Sequence, residues 1–151
     1  MYKFFISQNQ REAENAKIIG EDVNHIANVL RLKPAEKLVL CIKETGKSYE
    51  AEIKGITRES ILCHLLEEIQ ETTEPSVKVD IYQGLPKADK MEYIIQKATE
   101  IGVRDIYPVA MERSIVKLDK KTESKKIERW QKIAEVAAKQ SKRDKIPTIK
   151  N

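Results

Sequence analysis

Two short basic stretches carry the side chains best suited to chemistry. In Leu85-Pro86-Lys87-Ala88-Asp89-Lys90 a lysine stands just ahead of a predicted helix start, where exposed backbone N–H groups suit a phosphate. In Glu112-Arg113-Ser114 an arginine closes a predicted strand, and Lys117, Lys120 and Lys121 continue the positive run. Two cations delivered to one loop edge predict an anion site, whereas the outer lysines read equally well as a solvated run. Gln140, Lys142 and Arg143 end the last predicted helix. A simple crossover puts that end at the edge opposite Arg113, so joining the same site requires a bent path or a second subunit. In the first half, Arg31 and Lys33 follow a short predicted helix, and Lys3 lies in the first predicted strand. His25 and His64 stand apart from one another and read as surface, capping or strand histidines rather than ligands or bases. The chain contains no nucleophile–base arrangement, paired catalytic carboxylates, Walker loop, GxGxxG or CxxC, and no metal site is expected.

The elements that must position these groups centre on residues 76–102. Val77, Val79 and Ile81 alternate with Lys78, Asp80 and Tyr82, which predicts a strand with the aliphatic set facing inward. Gly84-Leu85-Pro86 breaks it. Asp89 stands at a helix N-cap position with Glu92 three residues on, as in a capping box. Met91, Ile94, Ile95, Ala98 and Ile101 then recur at helical spacing until Gly102 stops the helix. Asp105 to Met111 is again strand-like. Such a strand–helix–strand unit closes right-handed with parallel strands, so both strand exits emerge at one sheet edge. A long helix follows, from about Glu123 to Ser141, striped by Ile127, Trp130, Ala134, Ala137 and Ser141. Trp130 reads as core or subunit contact rather than a base-stacking platform, and the closing residues IPTIKN suggest a third strand.

Upstream, residues 2–6 read as a strand, and Asp22 is placed to cap a short helix from Val23 to about Leu32, with Val23, Ile26, Val29 and Leu30 buried. Three β-rich runs, Lys37–Lys43, Ser48–Thr57 and Ser60–Leu66, are separated by turns at Gly46 and Arg58-Glu59. Together these suggest a small barrel. The polar stretch Glu71–Ser76 is the candidate linker between the two halves.

The 151 residues are 40% hydrophobic and 34% charged, the composition of a globular protein with a large solvated surface. No apolar run approaches the roughly 20 residues of a membrane span, and the N-terminal residues lack a signal-peptide core. Cys41 and Cys63 both fall inside strand-like runs, as reduced buried thiols of a cytosolic protein would. Residues 1–74 carry 10 Lys and Arg against 13 Asp and Glu, whereas residues 75–151 carry 18 against 11. The second half thus matches either a polyanion-binding surface or a lysine-rich solvated one. With two or three strands and two helices, it reads as the front of an α/β domain whose remainder is absent.

Several segments, in order, resemble one family. They are Asn28-Val29-Leu30-Arg31-Leu32, Lys90-Met91-Glu92, the run Ile95 to Val103, Pro108-Val109, Glu112-Arg113-Ser114 with Val116-Lys117, Arg129 to Ala134, and Ala137 to Ser141. This ordered set is similar to the RsmE-type methyltransferases of small-subunit ribosomal RNA, members of the SPOUT superfamily. The resemblance implies a two-domain fold, with a PUA-like RNA-binding β-barrel over residues 1–72 followed by the N-terminal part of an α/β domain of the trefoil-knot type over residues 73–151. It implies methylation of uridine N3 with S-adenosylmethionine, a cytoplasmic homodimer, and 16S ribosomal RNA or the 30S subunit as partner. Arg31, Lys87, Arg113 and Arg143 match positions where the family carries basic residues. Arg113 is the catalytic candidate, and Lys3, Arg31, Lys33, Lys87, Lys117, Gln140 and Arg143 are the candidates for RNA or uridine. Two departures stand out: Lys3 replaces the family's usual arginine, and Lys142-Arg143 replaces its usual glycine-arginine. The family's GPEGG and LG…ILR segments, which form the knot and the cofactor site, do not occur in these residues. The chain is therefore expected to be C-terminally shortened, with no cofactor site and no catalysis of its own.

Overall fold

The computed structural model describes residues 1–87, 89–111 and 120–150, with the side chains of Lys120 and Lys121 outside the description. The chain divides into two compact units, Met1–Thr72 and Thr73–Asn151.

The first unit is one six-stranded sheet in the order β1-β4-β5-β6-β3-β2. Its strands are β1 (Lys3–Ile6), β2 (Arg11–Glu12), β3 (Asn15–Ile19), β4 (Lys37–Ile42), β5 (Ser48–Ile56) and β6 (Ser60–Ile69). β1 lies parallel to β4, and the other neighbours are antiparallel. Alternation decides the faces: in β6, Ile61, Cys63 and Leu65 are buried while Leu62 and Leu66 point outward. Phe4, Ile18, Leu38, Leu40 and Ile53 complete the core from neighbouring strands. Between β3 and β4, α1 (Glu21–Asn24) runs into a π-helical turn (His25–Val29) that drops Val23 and Ile26 onto the sheet.

Three expectations change here. The hairpin of β2 and β3 was not foreseen, because its turn runs through Ala13 at φ 53° without a glycine to announce it. The first helix starts at Glu21 after Gly20, which holds φ 78°, so Asp22 lies in its first turn rather than at the cap. Val29 faces solvent because the π-helical turn shifts the periodicity that placed it inside.

Burial raises the Cys63 thiol pKa from 9.0 to about 12. The unfolded chain therefore sheds this proton at lower pH than the folded one. Stability from this group is complete below its unfolded pKa and declines as pH climbs toward the folded value. Near pH 10.5 the loss is about 2 kcal/mol. Urea melts of the native chain and of Cys63→Ala should thus differ less at that pH than at neutrality, and a constant difference would contradict the assignment.

The second unit is a three-stranded parallel sheet, β7 (Asp80–Gly84), β8 (Asp105–Val109) and β9 (Thr148–Ile149), in that spatial order. The connections carry α2 (Lys90–Glu100) and α3 (Lys120–Gln140). Ile81, Ile106 and Ile149 share one sheet face and pack against Met91, Ile95 and Ala98 of α2 and Trp130 and Ala134 of α3. Trp130 is thus a core residue.

Two details depart from the periodic reading. β7 begins only at Asp80, leaving Val77 at 67% and Val79 at 50% exposure instead of inside. Ile101 is 80% exposed because α2 has already ended at Glu100. Glu92 makes no capping box either: its carboxylate accepts from Arg129 of α3 at 2.8 Å.

Candidate nucleic-acid interface

The parallel register sets Gly84 beside Val109, so β7 and β8 leave the sheet at the same edge. The Leu85 amide donates to the Val109 carbonyl at 3.1 Å, which carries the pairing one residue past β7. A Cβ on Gly84 would stand 3.2 Å from Cγ of the exposed Met111 side chain, a tight contact that Met111 can relieve by a small shift. Leu85 turns inward while Lys87 is exposed. Asp89 precedes α2 with no side-chain cap, and its carbonyl accepts from the Glu92 amide at 3.1 Å. Lys87 and Lys90 thus flank the helix start with one carboxylate, Asp89, between them. Arg113 and Lys117 lie outside the described residues.

Net positive charge here suits a phosphate or a deprotonated base. Among the described residues no group of His, Cys, Asp and Glu could hold a metal ion. No described helix is long and apolar enough to cross a membrane.

The end of α3 lies elsewhere. Gln140 is exposed there, but Arg143 is only 4% exposed. Its Nη1 donates to the Val103 carbonyl at 2.7 Å and to the Thr99 carbonyl at 3.2 Å, and its Nη2 meets Glu74 Oε2 at 2.5 Å. Val103 precedes β8, so this cluster sits at the sheet edge opposite Lys87. The expectation that Arg143 faces RNA is corrected: its guanidinium is occupied by backbone carbonyls and a carboxylate. Lys142 adopts φ 58°, which gives a physical reason for the glycine that the resembling family carries at this place.

In the first unit, Arg31 holds φ 54° just past the π-helical turn, exposed together with Lys33. The Lys33 amide donates to Glu36 Oε2 at 2.5 Å, fixing the loop that presents both cations. Lys3 is half-buried in β1 opposite Val39.

Aromatic and paired groups were missed by reading charge alone. Tyr82 and Tyr107 occupy one register of β7 and β8, on the sheet face away from α2 and α3. Their rings stack at 4.4 Å with 10° between planes, and Tyr82 is 70% exposed. The outward alternation of Tyr82 was the available signal. Below them Arg104 Nε donates to Asp80 Oδ1 at 2.7 Å and holds that carboxyl below the usual carboxylate range. Arg11 lies 4.5 Å over the Tyr49 ring.

Comparison with known proteins gives this geometry a context. Residues 73–151 match the model of an RNA methyltransferase domain, and residues 18–66 match an RNA methyltransferase PUA domain. Over 99% of its length the chain is 40% identical to ribosomal RNA small subunit methyltransferase E of Bacillus subtilis, covering 59% of that protein. It superposes with a TM-score of 0.87 and 30% identity on the Neisseria gonorrhoeae ribosomal RNA small subunit methyltransferase E bound to S-adenosyl methionine, covering 61% of that chain. A putative methyltransferase of Legionella pneumophila, in complex with the bound cofactor SAM, gives 0.85 at 26% identity. The chain thus spans about three fifths of the length of the relatives it matches.

Proposed function

Because the chain belongs to the RsmE-type family of RNA methyltransferases, with a PUA domain ahead of the methyltransferase domain, we propose that it supplies the RNA-facing part of an enzyme that methylates uridine N3 in small-subunit ribosomal RNA. In this reading residues 1–72 hold RNA through Lys3, Arg31 and Lys33. Residues 73–151 contribute Lys87, Arg113, Lys117 and Gln140 around the target base. The observation that carries the reading is the shared exit of β7 and β8, with exposed Lys87 beside the start of α2. A cation next to the uracil favours loss of the N3 proton and stabilises the resulting anion, the role that the resemblance gives Arg113.

S-adenosylmethionine supplies an electrophilic methyl group when bound, and our reading puts its site outside these residues. The absence of GPEGG and LG…ILR from these residues supports this. So does the Tyr82–Tyr107 face, since parallel sheets are normally covered on both sides. The working protein in this reading is a cytoplasmic homodimer acting on 16S ribosomal RNA or the 30S subunit. A second reading, an RNA-binding or assembly module without catalysis, is favoured by the PUA domain ahead of this unit.

Titration calorimetry separates these points. A single-stranded fragment of small-subunit ribosomal RNA should bind with a log K that falls linearly with log salt. Lys87→Ala should lessen that slope by about 0.7, one phosphate contact on a single strand. An unchanged slope would remove Lys87 from the interface. S-adenosylmethionine should give no binding heat, and micromolar affinity would move the cofactor site into this chain.

A further inference from the structure

The segment read as an interdomain linker is built into the second unit by a set of polar contacts. Glu74 Oε1 accepts from the Asp144 amide at 2.9 Å, from the Lys145 amide at 3.0 Å and from Arg143 Nε at 3.2 Å. Its other oxygen meets Arg143 Nη2. Asp144 answers in the opposite direction: its Oδ2 accepts from the Thr73 amide at 2.9 Å. Thr73 Oγ1 donates to the Lys142 carbonyl at 2.9 Å. Pro75 lies against Gly102, where an added Cβ would come within 2.4 Å of Pro75 Cγ. Three consecutive residues are thus each held by a separate contact to the ends of α2 and α3.

Arg143 ties this set to the end of α2. At the end of α2 the Thr99 carbonyl also accepts from the Gly102 amide at 3.1 Å, and a buried carbonyl such as that of Val103 is costly to leave without a donor. Arg143 spends one nitrogen on the Thr99 and Val103 carbonyls and turns its remaining fork onto Glu74. A planar guanidinium does both at once, which a lysine ammonium, a single point of charge, does not. The side chains of Arg143 and Glu74 are 5% and 14% exposed, so solvent screens the pair little.

We propose that Arg143, Glu74 and Asp144 form a clasp that fastens Thr73–Pro75 to the second unit, so that the connection between β6 and the clasp is only Gln70, Glu71 and Thr72. Extended, three residues span about 10 Å. With the clasp open, the connection would run to the start of β7 at Asp80, ten residues spanning about 35 Å. The clasp therefore sets the tether length between the two units, a property separate from any substrate.

Hydrogen exchange read by mass spectrometry on the full chain tests this. In Arg143→Met, the amides of Thr73, Glu74 and Ser76 to Val79 should exchange at least tenfold faster while Trp130 emission stays native. A glutamate-specific protease, which needs the residues on both sides of its cut extended, should then cut after Glu71 at a correspondingly higher rate. Should Arg143→Met unfold the second unit, Asp144→Asn and Arg143→Lys, which keep more of the network, provide the same readout. The clasp is refuted if the amides of Thr73 and Glu74 already exchange at unstructured rates in the native chain. It is equally refuted if the variants leave their exchange and cleavage unchanged.

Discussion

Replacing Trp130 by alanine should cost the second unit about 3–5 kcal/mol, the range for deleting a large buried aromatic. Trp130 packs from α3 onto the cluster formed by Met91, Ile95, Ile106 and Ile149, and so joins both layers of the unit. At roughly 0.05–0.15 kcal/mol per residue, a unit of this size holds about 4–12 kcal/mol in all. The substitution therefore removes a large share of the total and should leave the second unit partly unfolded at room temperature. The core of the first unit, built from Phe4, Ile18, Leu40, Ile53 and their neighbours, shares no residue with that cluster. Scanning calorimetry on Trp130→Ala should show one transition moved sharply down and the other where it was. Trp130→Phe, which keeps most of the volume, should shift the same transition by less than half as much. If both transitions moved together in Trp130→Ala, the two units would be folding as one body.

Periodicity made the second unit legible because its helices and strands bury one face each. The spacing of Met91, Ile95 and Ala98, and of Trp130, Ala134 and Ala137, is what burial against a sheet requires, and those residues are buried. Where periodicity misled, a boundary or a tertiary partner was responsible. Ile101 keeps helical spacing but follows the last helical residue, and Val77 and Val79 alternate correctly but precede the first paired one. Glu92 has capping-box spacing, yet a partner on another helix, Arg129, takes its carboxylate. The same limit governs the candidate site. Lys87 could be placed from local signals alone, since the strand exit and helix start are both written nearby. Arg143 could not: the carbonyls of Thr99 and Val103 and the carboxylate of Glu74 are brought to it from 40 or more positions away. A cation in a lysine-rich run looks solvated until the fold shows what surrounds it.

Gly102→Ala should destabilise the second unit about as strongly as the tryptophan deletion, through a different physical cause. Gly102 holds φ 101°, beyond the left-handed helical well that a side chain tolerates. Forcing alanine there costs of order 1–3 kcal/mol. The new Cβ would also stand 2.4 Å from Pro75 Cγ and 3.0 Å from Cδ, and a pyrrolidine ring cannot swing aside as a flexible chain would. Overpacking of this kind adds typically 1–3 kcal/mol. The two contributions can be separated with Pro75→Ala, which deletes the Cγ and Cδ atoms and leaves only the Cβ, 3.7 Å away. In that background Gly102→Ala should retain its backbone cost and lose most of the steric one, giving a coupling of about 1–3 kcal/mol in a denaturant double-mutant cycle. Additive effects would mean that Pro75 already moves freely off Gly102, and the tight seating of the linker on the end of α2 would then have to be given up.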